Sequence, residues 1–370
     1  MNYAPEFMTN TPTIPQKKRL EWLDAMRGFT MILVVAVHVS SYSFEIPLKL
    51  SSVQELITLF RMPLFFFVSG FLAFKSTINW DGKTLGTSLL KKIRVQLIPT
   101  IAFLFCYEVY KHHDYIDYFM RAIDLPRKNG YWFTWVLLQM FVAYYLFAFC
   151  EQKLQNVVKQ KFMKWLPITV FFLLSLCMYE TVYMPKHFTY PKEQWADTTS
   201  FNLFAEFFCF FLLGNICRRF WHQAEKLFDS RWFFPLLVVL VLISTFDFCY
   251  WHNLKFEWRN LPRTIDIFAL LGIVVLTFRH YEHTFSKETR VGRTLQYIGT
   301  RTLDIYLIHY FFLPTIPAVG QFFTMHRPNV VPELVLTIGM ALFIVAFCCL
   351  TSAVLRTSPS LKKYLFGKEK

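Results

Sequence analysis

Long apolar blocks, separated by short polar segments, recur along the whole chain of 370 residues. Each block has about 17–25 residues, the length that an α-helix needs to cross a bilayer. Hydrophobic residues make up 55% of the sequence, and soluble domains contain only about 45–50% even when glycine is counted. The blocks are apolar all round rather than alternating, which excludes a membrane β-barrel. The sequence therefore predicts an all-α, polytopic bundle of transmembrane helices.

The blocks predict ten spans, near residues 28–44, 53–74, 95–110, 131–150, 165–181, 201–217, 233–251, 264–280, 303–319 and 331–354. If the N-terminus is cytosolic, 27 of the 39 lysines and arginines fall on the cytosolic side and 11 on the outer side. Cytosolic loops of membrane proteins carry this excess of positive charge. Both termini are therefore predicted to be cytosolic, which requires an even number of spans.

The chain divides into one membrane domain and two tails. Residues 1–18 are polar and rich in proline and threonine, which predicts a disordered cytosolic tail. No signal-peptide cleavage site follows the first apolar block, so the block is expected to stay as the first helix. Residues 19–356 are predicted to form a single transmembrane domain in the cell (inner) membrane, and residues 357–370 a cytosolic tail.

Charge and cysteine content exclude several classes of protein. The net charge of +14 comes mostly from residues between apolar blocks, so membrane topology explains it better than nucleic-acid binding. The eight cysteines lie in or beside apolar blocks without CxxC or Cys/His spacing, so neither disulfides nor a metal site are predicted. The sequence also lacks GxSxG, P-loop and HExxH motifs.

The first block, RLEWLDAMRGFTMILVVAVHVS, carries Arg27 and His38. Eleven residues are close to three helical turns, so both side chains share one face about 16 Å apart. A histidine inside a membrane is costly, and a neutral imidazole keeps the basic nitrogen that a general base needs. The alternatives are a packing histidine and an arginine anchor paired with Asp24.

Charged groups also occur within later apolar blocks. Arg61 stands in FRMPLFFFVSGFL and Glu206 in FNLFAEFFCFFLLGN, so each needs a partner or a polar cavity. Asp304 and His309 follow in LDIYLIHYFFLP, about 140° apart around a helix, so they need not meet. Such groups in different spans predict a hydrated cavity inside the bundle.

The segment KKIRVQLIP places Lys91, Lys92 and Arg94 just before the third predicted span. Their positive charge is typical of a cytosolic anchor. It would equally suit the phosphates of an anionic nucleotide such as coenzyme A. The composition of the segment does not decide between these two interpretations.

Five segments together resemble the integral-membrane acyltransferase type 3 family, which includes bacterial polysaccharide O-acetyltransferases. The sequence of these segments is most similar to the family's fucose 4-O-acetylase-like branch. The segments occur in the family's order between about residues 19 and 313, and they read RLEWLDAMRGFTMILVVAVHVS, RMPLFFFVSGFLAF, KKIRVQLIP, YWFTWVLLQMFVAYYL and LQYIGTRTLDIYLIHYFF. The resemblance implies ten spans and acyl-transfer chemistry.

The resemblance also implies roles for particular residues. The family's arginine and histidine, separated by ten residues, match Arg27 and His38. Its R-x-x-R motif matches Lys91 and Arg94, and lysine at the first position loses the bidentate fork of arginine. The arginine before the Pro-Leu-Phe-Phe run matches Arg61. Many members add a soluble esterase-like domain, whereas here transfer is expected to be completed by the membrane domain or a separate partner.

The predicted function is transfer of an acyl group, most simply acetyl, from cytosolic acetyl-CoA to a hydroxyl of a glycan or glycolipid. His38 is the predicted general base, or it forms an acyl-histidine. The other predicted roles are pantetheine orientation by Arg27, coenzyme A binding by Lys91, Lys92 and Arg94, and substrate binding by Arg61, Glu206, Asp304 and His309. No metal is expected, and membrane lipids are the other partners.

Two alternatives to an enzyme stay open. A flippase of a lipid-linked sugar, or an exporter of a small anion, would also have many spans and buried charges. Transporters often contain internal repeats, and the sequence shows none. A non-catalytic membrane anchor for a glycan-assembly complex is the third interpretation, and the sequence leaves the oligomeric state open.

Overall fold

The structure is a computed structural model that describes residues 20–183, 194–250, 261–326 and 329–366. Every regular element in these ranges is helical, which confirms the predicted all-α class. The α-helices are α1 Glu21–His38, α2 Ser52–Ala73, α3 Gly82–Lys92, α4 Ile98–Lys111, α5 Tyr115–Asp124, α6 Trp132–Val157, α7 Leu166–Met178, α8 Gln194–Thr199, α9 Phe201–Arg219, α10 Trp221–Phe228, α11 Phe233–Tyr250, α12 Leu261–His280, α13 Arg290–Gly299, α14 Thr302–Ile308, α15 Pro317–Met325, α16 Val330–Leu355 and α17 Pro359–Phe366. The predicted N-terminal tail, residues 1–18, lies outside the described residues.

Six helices of the described ranges are long and apolar enough to cross a membrane, which makes the chain a multi-pass membrane protein. They are α1 with its π-helical extension, α2, α6, α9, α12 and α16. Two bent pairs, α10 with α11 and α14 with α15, raise the number to eight if each pair forms one span. The predicted number of ten spans and the cytosolic position of both termini stay predictions.

The third and fifth predicted spans correspond to shorter helices. Helix α4 has 14 residues and α7 has 13. At 1.5 Å per residue each covers about 20 Å, less than the hydrocarbon core of about 30 Å. A π-helical turn over Ile93–Leu97 joins α3 to α4, and another over Tyr179–Tyr183 follows α7. These turns lengthen both segments without making them regular α-helices.

Helix α1 lies at the centre of the bundle, with buried residues on nearly all sides. Gly28 lets it approach α13, since an added Cβ there would lie 2.0 Å from the Leu295 carbonyl oxygen. Gly299 makes the reciprocal contact, and its Cβ would lie 1.9 Å from the Asp24 carbonyl oxygen. Small residues permit such close helix packing in membranes. The helix that carries Arg27 and His38 is therefore fixed on a neighbouring backbone.

Helix α14 is short and ends inside the protein. It continues as a 3₁₀ turn, His309–Phe312, and the chain then bends by 92° into α15. Pro314 and Pro317 follow this turn, and proline cannot continue a helix that precedes it. The bend leaves His309 at the end of a helix that packs on α1 and α16.

The last described helix, α17, falls within the predicted C-terminal tail of residues 357–370. It packs on α4, and its Phe366 is fully buried. At least the part of this segment up to Phe366 is therefore an ordered helix attached to the bundle.

Candidate active site

The structure brings His38 and His309 into direct contact. Nδ1 of His38 lies 2.7 Å from Nε2 of His309, and the two rings stack with centroids 5.0 Å apart. His38 is the last residue of α1, and the fully buried His309 opens the 3₁₀ turn after α14. The sequence predicted His309 as a substrate-binding residue, and the structure places it as the neighbour of the predicted base.

Two tyrosines pack against the histidine pair. Tyr42, on the π-helical turn after α1, meets the His38 ring edge-on at 5.6 Å, and its side chain is exposed. Tyr310 stacks on His38 at 5.1 Å. Sequence reasoning missed both residues, although Tyr42 lies one turn after His38 and Tyr310 directly follows His309. The histidine pair is therefore packed against the aromatic rings of Tyr42 and Tyr310.

Gly130 shapes the position of Tyr310. Its φ of +100° is one that side-chain-bearing residues rarely adopt. A Cβ at this position would also lie 2.2 Å from the Tyr310 hydroxyl oxygen. The neighbouring Tyr306 hydroxyl donates to the Gly130 carbonyl oxygen at 2.7 Å and accepts from the Phe133 N–H at 3.0 Å. The turn before α6 is therefore fixed against α14 and the 3₁₀ turn.

A narrow cavity of about 20 Å³, enough for a water molecule, lies beside His38. It runs between α1, α2, α6 and α14, and its charged or titratable lining residues are a histidine, an arginine and a tyrosine. The lining residues are Met31, Val34, His38, Arg61, Met62, Phe65, Trp132, Phe133 and Tyr306. A small apolar chamber with a basic nitrogen and a guanidinium suits a reaction that develops charge.

Arg61 enters this cavity from α2. Its Nε and Nη1 atoms are buried and make no hydrogen bond to the residues that the structure describes. Glu206 on α9 and Arg127 lie close enough to act on its charge. Glu206 is half-buried and does not itself line the cavity. Arg61 therefore has unused donors beside His38, and Glu206 supplies a nearby negative charge.

Arg27 lies at the opposite end of α1, close to the predicted coenzyme A residues. Its Nη2 atom donates to the Thr302 hydroxyl at 3.0 Å, and Nη1 lies 3.6 Å from Oδ1 of Asp24. Asp24 is therefore a neighbour of Arg27, as the anchor interpretation required. The contact with Thr302 also links α1 to the first turn of α14.

Lys92 is the half-buried member of the basic segment. Its Nζ atom lies 3.3 Å from the ring centroid of Phe141, whereas Lys91 and Arg94 are exposed. Burial, and then the positive charges of Lys75, Lys91 and Arg27, lower the pKa of Lys92 to about 7. The charge of Arg27 thus acts on Lys92, although 65 residues of sequence separate them.

Asp304 is not brought to the cavity. Its carboxylate accepts hydrogen bonds from Nε and Nη2 of Arg356 at 2.6–2.9 Å, and from the Ser352 hydroxyl at 2.6 Å. It is 3% exposed. Sequence analysis grouped Asp304 with the substrate-binding residues, which stays a prediction, and the structure places it in a buried ion pair between α14 and the end of α16.

Within the described ranges, no group of three or more His, Cys, Asp or Glu side chains is arranged to hold a metal ion. The charged or titratable side chains that line the cavity are those of His38, Arg61 and Tyr306, and His309, which does not line it, contacts His38. Together with the helical bundle they define a class, an integral-membrane protein with a histidine and an arginine beside a small internal cavity.

The family model described as "Acyltransferase domain" matches residues 20–353, so the chain belongs to the acyltransferase 3 family and is a membrane acyltransferase. No curated protein and no solved structure matches the chain. The predicted family and enzyme class are confirmed, which favours catalysis over transport or passive anchoring.

Proposed function

We propose that the protein is an O-acetyltransferase of the inner membrane. It would transfer an acetyl group from cytosolic acetyl-CoA to a hydroxyl of a cell-surface or lipid-linked glycan. The observation that carries this proposal is the cavity shared by His38 and the unpaired donors of Arg61. Acyl transfer needs both a base for the attacking hydroxyl and a cation for the developing oxyanion.

The basic end of α1 supports a coenzyme A donor. The charges that act on Lys92 are those of three other cations, and burial adds to the cost of its positive form. A bound polyanion would offset this repulsion, and the phosphates of coenzyme A are such a group. The donor would bind at Lys91, Lys92 and Arg94, and Arg27 would orient the pantetheine as it enters the bundle.

The proposed reaction is one displacement at the thioester. The acceptor hydroxyl reaches His38 from the opposite end, where Tyr42 is exposed beside the histidine. His38 takes the hydroxyl proton as the oxygen attacks the thioester carbonyl carbon. Arg61 stabilises the resulting oxyanion, and Glu206 holds the charge of Arg61 in place. The carbon–sulfur bond then breaks, and His38 returns the proton to the leaving thiolate.

The test compares surface glycans from cells with and without the protein by mass spectrometry. The proposal expects loss of an acetyl-sized increment, and it expects purified protein to release coenzyme A from acetyl-CoA when glycan extract is added. His38→Ala should lower that rate roughly 10²–10⁴-fold, the usual contribution of a general base. His283→Ala is the matched control, since His283 is 84% exposed and far in sequence from the cavity residues.

Wild-type turnover by correctly folded His38→Ala protein would contradict the assignment of the base. An unchanged glycan profile in cells without the protein, together with no coenzyme A release in the purified reaction, would contradict the donor or the acceptor class.

A further inference from the structure

The backbone of α14 fixes the proton position on His309. Nδ1 of His309 lies 2.8 Å from the Tyr306 carbonyl oxygen and 3.1 Å from the Ile305 carbonyl oxygen. A carbonyl oxygen can only accept a hydrogen bond, so Nδ1 must carry the proton. These carbonyls belong to the last turn of α14, and the Ile305 carbonyl also accepts the backbone N–H of His309.

The proton position on His309 then determines the tautomer of His38. In a neutral imidazole with a proton on Nδ1, Nε2 is an acceptor. Nδ1 of His38, at 2.7 Å, must therefore be the donor. His38 consequently presents Nε2 as its unprotonated, basic nitrogen. Nδ1–H of His38 thus donates to Nε2 of His309, and Nδ1–H of His309 donates to the backbone carbonyls.

The surroundings favour neutral rings in the resting enzyme. His309 is completely buried, and buried charge without an acidic partner is costly. The other groups around the pair are Arg61 from α2, Arg127 from the loop before α6, Tyr42, Tyr306 and Tyr310. Two of these are cations and three are phenols, so none of them supplies a negative charge to an imidazolium.

We propose that His309 is a positioning residue that holds His38 in the tautomer with a basic Nε2 directed to the acyl acceptor. This inference rests on the proposed function and deepens it. His309 is not among the residues that line the described cavity, so it acts through His38 rather than on substrate. When His38 takes the acceptor proton on Nε2, its Nδ1–H donates more strongly to His309, which spreads the new charge.

A pair of variants separates this role from packing. His309→Gln keeps an acceptor oxygen near the position of Nε2, and His309→Phe keeps a ring of similar size without any acceptor. Turnover is measured as coenzyme A release from acetyl-CoA with glycan extract. His309→Phe should lose roughly 10²-fold or more in kcat with an unchanged KM for acetyl-CoA. His309→Gln should remain within about tenfold of wild type.

Equal losses in both variants, or an unchanged kcat in folded His309→Phe protein, would overturn the proposal. A direct measurement keeps it independent of activity. In protein labelled with ¹⁵N-histidine, NMR should show His38 protonated at Nδ1 and unprotonated at Nε2, with a mixture of tautomers in His309→Phe. A wild-type His38 that is protonated at Nε2 would refute the inference.

The two proposals can fail separately. Active His38→Ala protein with the expected tautomer would refute the acyl-transfer role of His38 but leave the geometry correct. Inactive His38→Ala protein with fully active His309→Phe would leave the proposed function standing and remove the role of His309.

Discussion

One short helix links two buried polar regions that differ in a single respect. At the start of α14, the Asp304 carboxylate has hydrogen bonds from Arg356 and Ser352 on both of its oxygens. Beyond the end of α14, two donors of Arg61 make no hydrogen bond to the described residues, and His38 lies against His309. Both regions lie in the same bundle, so burial alone does not identify a site.

The difference indicates what each region is for. A buried ion pair in which both carboxylate oxygens are bonded holds helices in one arrangement, and here it attaches α14 to α16. An unpaired buried donor costs stability, and a ligand that bonds it would recover that cost. The two regions therefore differ in their unused hydrogen-bond donors, which are present at Arg61 and absent at the Asp304 carboxylate. In the sequence, both residues are simply charges among apolar residues.

The largest expected effect is on stability, at the ion pair. Asp304→Asn leaves the Arg356 guanidinium, which is 19% exposed, without its counter-charge. The free energy of unfolding should fall by about 3 kcal/mol, measured by thermal unfolding in detergent. The remaining folded protein should turn over normally. A normal unfolding temperature combined with lost turnover would instead restore Asp304 as a substrate-binding residue.

The opposite result is expected at Arg61. Arg61→Met should lower turnover roughly 10²-fold, the loss expected for removal of an oxyanion donor. The unfolding free energy should stay constant or rise by about 1 kcal/mol, because two unpaired buried donors disappear. Arg121→Met is the matched control, since Arg121 is exposed on α5. A loss of stability in Arg61→Met would place Arg61 with the structural ion pairs.

Sequence reasoning could find the first side of the site but not the second. The spacing of Arg27 and His38 is a property of one helix, and the structure keeps both on α1. The contact of His38 with His309 joins residues 271 positions apart and depends on where α14 changes to a 3₁₀ turn. No periodicity encodes that meeting, although the prolines after His309 signalled a helix end.

The ion pair was hidden for a similar reason. Asp304 and Arg356 are 52 residues apart, on helices that meet only in the folded bundle. From sequence, Asp304 and Arg61 looked alike as charges in apolar blocks, and Arg356 counted only as a cytosolic charge. Composition also does not show where a regular helix changes into a π-helical turn. The sequence therefore predicted continuous spans at residues 95–110 and 165–181, where the structure has the shorter helices α4 and α7 beside such turns.

A third, smaller effect is expected in the pH dependence of donor binding at Lys92. Its pKa of about 7 in the folded protein lies below the ordinary value, so Lys92 is charged only below that pH. A polyanion stabilises the charged form, and its affinity should therefore fall about fivefold between about pH 7 and pH 8. Calorimetry with coenzyme A measures this, and Lys92→Met should remove the dependence while Lys153→Met keeps it.

Lys92 also affects folding in a definite direction. The unfolded chain holds its proton up to a higher pH than the folded protein does, so stability without ligand should rise as pH increases above about 7. Coenzyme A should stabilise the protein most at the acidic end of this range. An affinity that is flat with pH in the wild type would move the donor phosphates away from Lys92.

The smallest effect on stability is expected at Asp229, which forms a similar ion pair at the surface. Both oxygens of Asp229 accept hydrogen bonds from Arg279, and the Asp229 side chain is 65% exposed. The hydrogen bond from Arg279 lowers the pKa of Asp229, so its contribution exists at neutral pH and is lost on acidification. Exposed pairs contribute little because water already solvates both charges. Asp229→Asn should therefore unfold at the wild-type temperature at pH 7. If its free energy of unfolding fell as much as that of Asp304→Asn, bidentate pairing rather than burial would explain the contribution of the ion pair at Asp304.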